Sequence, residues 1–257
     1  AAICQPHFEQ THRAASRLKM AFLIQDTCVL NFSAHTACVG LGPIADNEHL
    51  RGLHQQNVLA VDPLQRRPVG LMYQRHYCRT PRPAGSHADR AGRRAVPLAE
   101  RESYWWIEAI RAIGPCPTGT RWVHVGDRGE DLFGVYDECR RQGTDWLIRI
   151  SQDRRVETPA GEERLFAYAR DLPTSTEMTV NIRRRPGGQP EEVKLSMAVG
   201  EVTLLPSQQE KAYRACAPVA CRVVRVWEVS PPEGGAPLEW LLCTSLACDD
   251  KEAIKFA

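Results

Sequence analysis

The chain has 257 residues, 43% apolar and 25% charged, with a net charge of +2. That length holds one large domain or two small ones, and the composition is that of an ordinary globular protein rather than a disordered or fibrous one. No apolar run approaches the ~20 residues of a membrane span, and the start AAICQPHFEQTHR has neither the basic nor the apolar region of a signal peptide.

Residues 1–19 read as a helix with a mixed face. AFLIQDTCVLNFS (21–33) is an apolar run that alternates after Asp26, a strand with room for a second directly behind it. Gly40, Gly42 and Pro43 mark a turn, and NVLAVDP (57–63) and RPVGLMYQRHYC (67–78) form two more strands of an antiparallel meander. The Pro/Gly/Arg-rich stretch 80–97 reads as a surface loop. ERESYWWIEAIRAIG (100–114) is helical with Gly114-Pro115 as its stop, and RWVHVGDRGED (121–131) is a strand running into a turn. LFGVYDECRRQG (132–143) is a helix and DWLIRIS (145–151) a strand. Three antiparallel strands followed by αβ units predict an α/β sheet of mixed direction.

Residues 153–243 change character: VTLLP, ACRVVRVWEVS and LEWLLCTS are strand-like between Pro/Gly turns, with a helix only around Leu165–Arg170. DDKEAIKFA (249–257) starts a helix capped by Asp249 or Asp250. The expected organisation is therefore a core over 1–152, a β-rich insertion over 153–248, and the start of a returning core helix over 249–257. A start without Met and a last helix of two turns read as a fragment or an excised domain.

Only five of the 33 basic residues are lysine, and eight arginines stand between Leu64 and Arg94 against one acid, Asp89. Such a stretch suits a polyanion, because the guanidinium fork grips phosphate at two points; a GC-rich genome or a solvated face leaves the same mark. The ten cysteines include no C-x-x-C; Cys216/Cys221 and Cys243/Cys248 are C-x4-C pairs. Buried reduced thiols in a reducing cytosol are the expectation, with a zinc site as the alternative.

Two acids stand in apolar surroundings: Asp26 inside FLIQDTCVL and Asp127 at the end of VHVGD. At the end of a buried strand, an unpaired carboxylate costs several kcal/mol of desolvation. Each could cap a turn or pair with an arginine, as Asp127 could with Arg128. Two of them on strands that can be neighbours point instead to a divalent cation, since Mg²⁺ prefers carboxylate oxygen and needs only one or two such ligands. Glu100, Glu102, Asp131, Asp137 and Glu138 fall on helical or turn positions and read as surface groups.

These words, taken together, resemble a family. IQDTCVLNFS (24–33) is similar to the strand that carries the first catalytic aspartate in DDE transposases of the insertion-sequence-four (transposon-five-like) family. GLGPI and NVLAVDPLQRRPVGLMYQRHYCR resemble the next strands, and ERESYWWIEAI resembles the family's Lys-Glu-Ser-x-x-Trp helix. VHVGDRGEDLFGVYDE (123–138) resembles the strand and turn of the second aspartate, and DWLIRISQDRRV and PLEWLLCTSLACDDKEAI continue the match in order.

The resemblance implies a ribonuclease-H-like mixed sheet with helices, interrupted by a β-rich insertion. It implies Asp26 and Asp127 as catalytic metal ligands for Mg²⁺, with Mn²⁺ as a substitute. Arg149 matches an arginine that contacts the transposon end, and Trp240 matches a tryptophan that stacks on a flipped base; a core aromatic beside Leu241 and Leu242 is the other reading of Trp240. Arg128 fixes the neighbouring aspartate or touches phosphate. The implied partners are transposon-end DNA and target DNA, bound by a dimer in the bacterial cytoplasm at the nucleoid, with no membrane. The implied reaction is metal-activated hydrolysis at the element's end, then attack by the freed 3′-hydroxyl on the opposite strand and later on target DNA.

Two departures qualify it. The family's third acid lies in a Tyr-x2-Arg-x3-Glu-x6-Lys helix, and no such segment occurs in the 257 residues; it is expected just past Ala257. The usual Glu after the arginine of the second motif is Gly129. Little or no transposition by this chain alone is therefore expected. The rival readings are a catalytically dead remnant that binds DNA or inhibits an intact copy, and a different ribonuclease-H-like nuclease such as a junction resolvase.

Overall fold

A computed structural model describes residues 3–45, 49–79, 96–184, 188–208, 210–231 and 237–248. The expected loop at 80–97, apart from its last two residues, and the expected helix at 249–257 lie outside the described residues. The chain is a mixed α/β protein with much strand and few helices, and it divides into two compact units. The first comprises Ala1–Gly126 and Glu138–Thr144, the second Asp127–Asp137 and Asp145–Ala257.

The first unit holds helix α1 (Gln5–Ala15), strands β1 (Ala21–Asn31), β2 (Gly42–Pro43), β3 (Arg51–Asp62) and β4 (Arg67–Tyr77), helix α2 (Tyr104–Ile113) and strand β5 (Trp122–Gly126). β3 pairs antiparallel with β1 along one edge and with β4 and the short β2 along the other, while β5 lies parallel to β1. β1 is one strand of 11 residues, not the two that the alternation allowed. β3 starts six residues before the expected Asn57, at Arg51. The polar segment RGLHQQ has no apolar alternation, but β1 on one edge and β2 and β4 on the other pair its backbone.

Strand alternation divides the sheet of this unit into two faces. One carries Ala21, Leu23, Val58, Ala60 and Trp122, buried with Ala15, Met72, Ala109 and Ile113 in the unit's core. α1 packs on β4 beside this face, and Gly70 permits the approach: a Cβ there would lie 2.3 Å from the Thr11 hydroxyl oxygen, on a backbone at φ +156°. The opposite face carries Phe22, Ile24, Leu59, Val61 and Leu71, none of them buried.

The second unit holds β6 (Asp145–Arg149), β7 (Arg155–Thr158), β8 (Gly161–Arg164), α4 (Leu165–Asp171), β9 (Thr176–Ile182), β10 (Glu191–Leu204), β11 (Val219–Glu228) and β12 (Glu239–Thr244). Helix α3 (Phe133–Gln142) begins in this unit and ends in the first. The strands form an antiparallel meander in which β6 pairs β12, β12 pairs β11 and β11 pairs β10. β9 and β7 share the far edge of β10. One face buries Val193, Leu195, Met197, Val224, Val226 and Cys248 together. The other receives α4, whose Tyr168 hydroxyl donates to the Glu201 carbonyl at 3.1 Å.

The ten cysteines are free thiols, but the expectation of general burial is corrected: Cys28, Cys38 and Cys78 are exposed. Cys28 alternates onto the open face of β1, and the other two lie in loops beside the strands. Among the described residues no cluster of three or more His, Cys, Asp or Glu forms, and no helix is long and apolar enough to cross a membrane.

Candidate functional site

In the first unit, the parallel register of β1 on β5 sets Leu23 beside His124 and Ile24 beside Val125. Asp26 follows Ile24 by two residues; Asp127 follows Val125 by two along the chain and belongs to the second unit. Asp26 is exposed, as is Asp127, so the expected desolvation penalty is corrected at both positions. The apolar letters around Asp26 belong to two faces, and the aspartate falls on the open one. One carboxylate oxygen of Asp26 accepts the Thr27 N–H at 2.8 Å. One oxygen of Asp127 accepts the Gly129 N–H at 2.7 Å and caps the short 3-10 turn Arg128–Glu130. Each carboxylate thus keeps an outward oxygen, a hard donor of the kind that Mg²⁺ takes alongside retained water.

The outward aim of Asp26 is set by buried amides on the opposite face. Gln25, Gln56 and His124 are all at most 2% exposed. The Gln56 amide donates to the Gln25 carbonyl at 3.3 Å, the Gln25 amide lies 3.3 Å from His124 Nδ1, and Thr27 Oγ1 donates to the Gln56 carbonyl. An amide nitrogen donates, so Nδ1 accepts and the ring proton sits on Nε2. Burial holds the His124 pKa down at about 3, which keeps the ring neutral. A one-residue slip of β1 would expose Gln25, break this chain and turn Asp26 into the core; the buried amides therefore specify the register.

The second unit builds its site around Asp131, which was expected on the surface and is 1% exposed. Its carboxylate accepts the Tyr136 hydroxyl at 2.7 Å and the backbone N–H groups of Ser151 and Gln152 at 2.7 and 2.8 Å, and it pairs with Arg154. Its carbonyl accepts the Gln152 side-chain amide at 2.8 Å, and Ser151 Oγ donates to the Arg128 carbonyl at 3.1 Å. These bonds tie the turn that begins at Asp127 to the segment that leaves β6 at Arg149. Asp137 and Glu138 are also buried rather than exposed, and Glu138 pairs with Arg111 of α2 within the first unit.

Arg149, at the end of β6, has its pKa lowered by partial burial first and then by Arg128, with Asp127 opposing. Arg128 and Asp127 thus lie near enough to Arg149 to act on its charge in opposite directions. Arg149 sits across from Leu242 on β12, and Trp240 two residues earlier sits across from Val226 on β11. Leu242 and Trp240 share a sheet face by alternation, so Arg149 and Trp240 do as well. Trp240 is half-buried against the apolar cluster with Leu238 and Leu242, which satisfies the core reading while leaving part of the ring accessible.

Glu130 had no place in the sequence reading. It is fully buried, and burial, with the nearby Asp127 charge second, pushes its pKa up to about 8. The unfolded chain loses this proton near 4.5 and the folded chain near 8, so the folded state binds more protons in between. Its contribution to stability is thus complete below pH 4.5 and falls as pH rises through that window. Glu130→Gln, which mimics the protonated side chain, is expected to melt several degrees above the parent at pH 8 and close to it at pH 5. Parallel melting profiles across that range would contradict this assignment. The sequence carried no local signal of this burial, because Glu130 stands in the polar run Asp-Arg-Gly-Glu-Asp ahead of the helix that starts at Phe133.

No protein-family model matches the chain. Among solved structures it is similar to a piggyBac transposase synaptic complex with hairpin DNA, seen by cryo-electron microscopy, at 13% identity and a TM-score of 0.38. The match covers 90% of this chain and 34% of that one, so the chain spans about a third of that protein's length.

Proposed function

We propose that this chain is catalytic-core sequence of a DDE-type DNA transposase of the insertion-sequence-four kind, with a ribonuclease-H-like sheet in its first part and a β-rich insertion after it. The observation that supports the reading is the parallel register of β1 on β5 within the first unit, with the exposed Asp26 two residues past a paired position; Asp127, which opens the second unit, enters through its motif. Together with the ordered motifs, it supports Asp26 and Asp127 as ligands of a divalent cation, Mg²⁺ or Mn²⁺. Such an ion would supply a Lewis acid and an activated water for displacement at phosphorus. Arg149 and Arg128 would hold backbone phosphate, and the accessible part of Trp240 would receive an unstacked base. Transposon-end and target DNA are the proposed partners, with a dimer on DNA in the cytoplasm as the working assembly.

A second reading is DNA binding without cleavage by the same residues. Both readings share the metal pair, which can be tested without turnover. Titrating the chain with Mn²⁺ while following the free-ion paramagnetic resonance signal is expected to show binding that Asp26→Asn or Asp127→Asn weakens at least tenfold. Equal Mn²⁺ uptake by the parent and both variants would remove the metal site. Cleavage of labelled duplex ends in Mg²⁺ then separates the enzyme from the binder.

A further inference from the structure

On the open face of the first unit, the polar residues next to Asp26 form a connected ladder. Asn57 is the register partner of Asp26 on β3, Gln55 is the partner of Cys28, and Gln74 and His76 of β4 lie beyond them opposite Asn57 and Gln55. Asn57 Oδ1 accepts both the Gln55 and the Gln74 amides, at 2.9 and 3.0 Å. The His76 ring meets the Gln55 carbonyl at 2.7 Å, and the Asn57 amide approaches Cys28 Sγ at 3.6 Å. None of these side chains is buried. Directly along the strands lies an apolar shelf of Ile24, Leu59 and Leu71; Ile24 and Leu59 are each 37% exposed.

The chemistry of that surface is specific. Amides present donors and acceptors side by side, as the edges of nucleobases do, and an apolar shelf accepts the flat face of a ring. The ladder spends one N–H of Gln74 internally and leaves that amide's carbonyl for an outside donor. Asp26 is the one acid of this face on β1, β3 and β4, with Arg51 exposed on the same face of β3, so a polyanion meets little repulsion once a cation covers Asp26.

We infer that Gln55, Asn57, Gln74 and the Ile24/Leu59/Leu71 shelf form a binding surface for an unpaired nucleotide, which holds the base beside the phosphate that Asp26 addresses. The inference rests on the reading of this chain as a DNA-processing core. It assigns to these amides recognition of the unstacked strand, separate from the phosphate grip of Arg149 and Arg128.

The experiment uses the full 257-residue chain and a fluorescein-labelled single-stranded oligonucleotide, with its fully paired duplex alongside. Gln55→Ala and Gln74→Ala are each expected to weaken single-strand binding about three- to tenfold, the loss of one or two hydrogen bonds. Duplex affinity should change less than twofold, and the salt dependence should stay the same, because no phosphate contact is removed. Cys28 supplies a native reporter: the oligonucleotide should slow its alkylation by iodoacetamide, read by mass spectrometry, while the exposed Cys38 reacts as before. Unchanged single-strand affinity in both variants, or unprotected Cys28, overturns the surface while leaving DNA binding through Arg149 intact. Protection of Cys28 without DNA, rising with self-association in sedimentation, gives the face to a second copy and also overturns it. A parent chain with no affinity for either oligonucleotide removes this inference and the DNA-processing reading together.

Discussion

Asp131→Asn is expected to lower the melting temperature by about 10 °C. The wild-type carboxylate takes hydrogen bonds from two backbone N–H groups and the Tyr136 hydroxyl, and pairs with Arg154, whose side chain is 14% exposed. Asparagine keeps the shape but turns an N–H₂ group toward some of those donors and leaves the guanidinium without its counter-charge. Breaking a buried pair from one side typically costs about 3–5 kcal/mol, and each kcal/mol moves a chain of this size by roughly 2–4 °C. Removing the orphaned charge as well, in Asp131→Asn with Arg154→Met, should recover part of the loss. Thermal melts of the parent, both singles and the double form the cycle; a single-variant loss below about 1 kcal/mol would show that the network is dispensable.

Arg149→Glu is expected to weaken duplex DNA binding by about 10–100-fold near 0.1 M salt, and to lower the slope of log affinity against log salt by about one to two. The argument is electrostatic. Partial burial first and the nearby Arg128 second disfavour the charge on Arg149, and Asp127 opposes them. In the proposed DNA complex a backbone phosphate would be attracted by Arg149, and reversing the sign of that side chain would remove the attraction and add a penalty. Anisotropy titrations at four salt concentrations measure both quantities. An unchanged slope would mean that no phosphate sits at Arg149.

These two effects were unequally visible in the linear chain. Arg149 stood out because its segment continues an ordered set of motifs. Asp131 did not, since a carboxylate just before a helix is the usual solvated choice and its partners at Ser151, Gln152 and Arg154 come some twenty residues later. The aspartates at 26 and 127 were found for a partly mistaken reason. Their apolar neighbours suggested burial, yet both carboxylates are exposed; for Asp26 the apolar run divides between a covered and an open face of β1, and the aspartate falls on the open one.

The sequence by itself determined β1, the second half of β3 and β4, the two following helix–strand steps, the β-rich character after residue 153, and the two aspartates worth testing, but not β2 or the first half of β3. Those features follow from local periodicity and turn chemistry, which act over a few residues. Only the tertiary structure decided which face of β1 is open, that Gln25, Gln56 and His124 join beneath it, and that Asp131 is the buried tie between a turn and a strand end. Burial and hydrogen-bond partnership depend on what lies across the sheet or on the neighbouring strand. Gln25 and His124, which meet there, are 99 positions apart along the chain, a distance over which local pattern carries no signal.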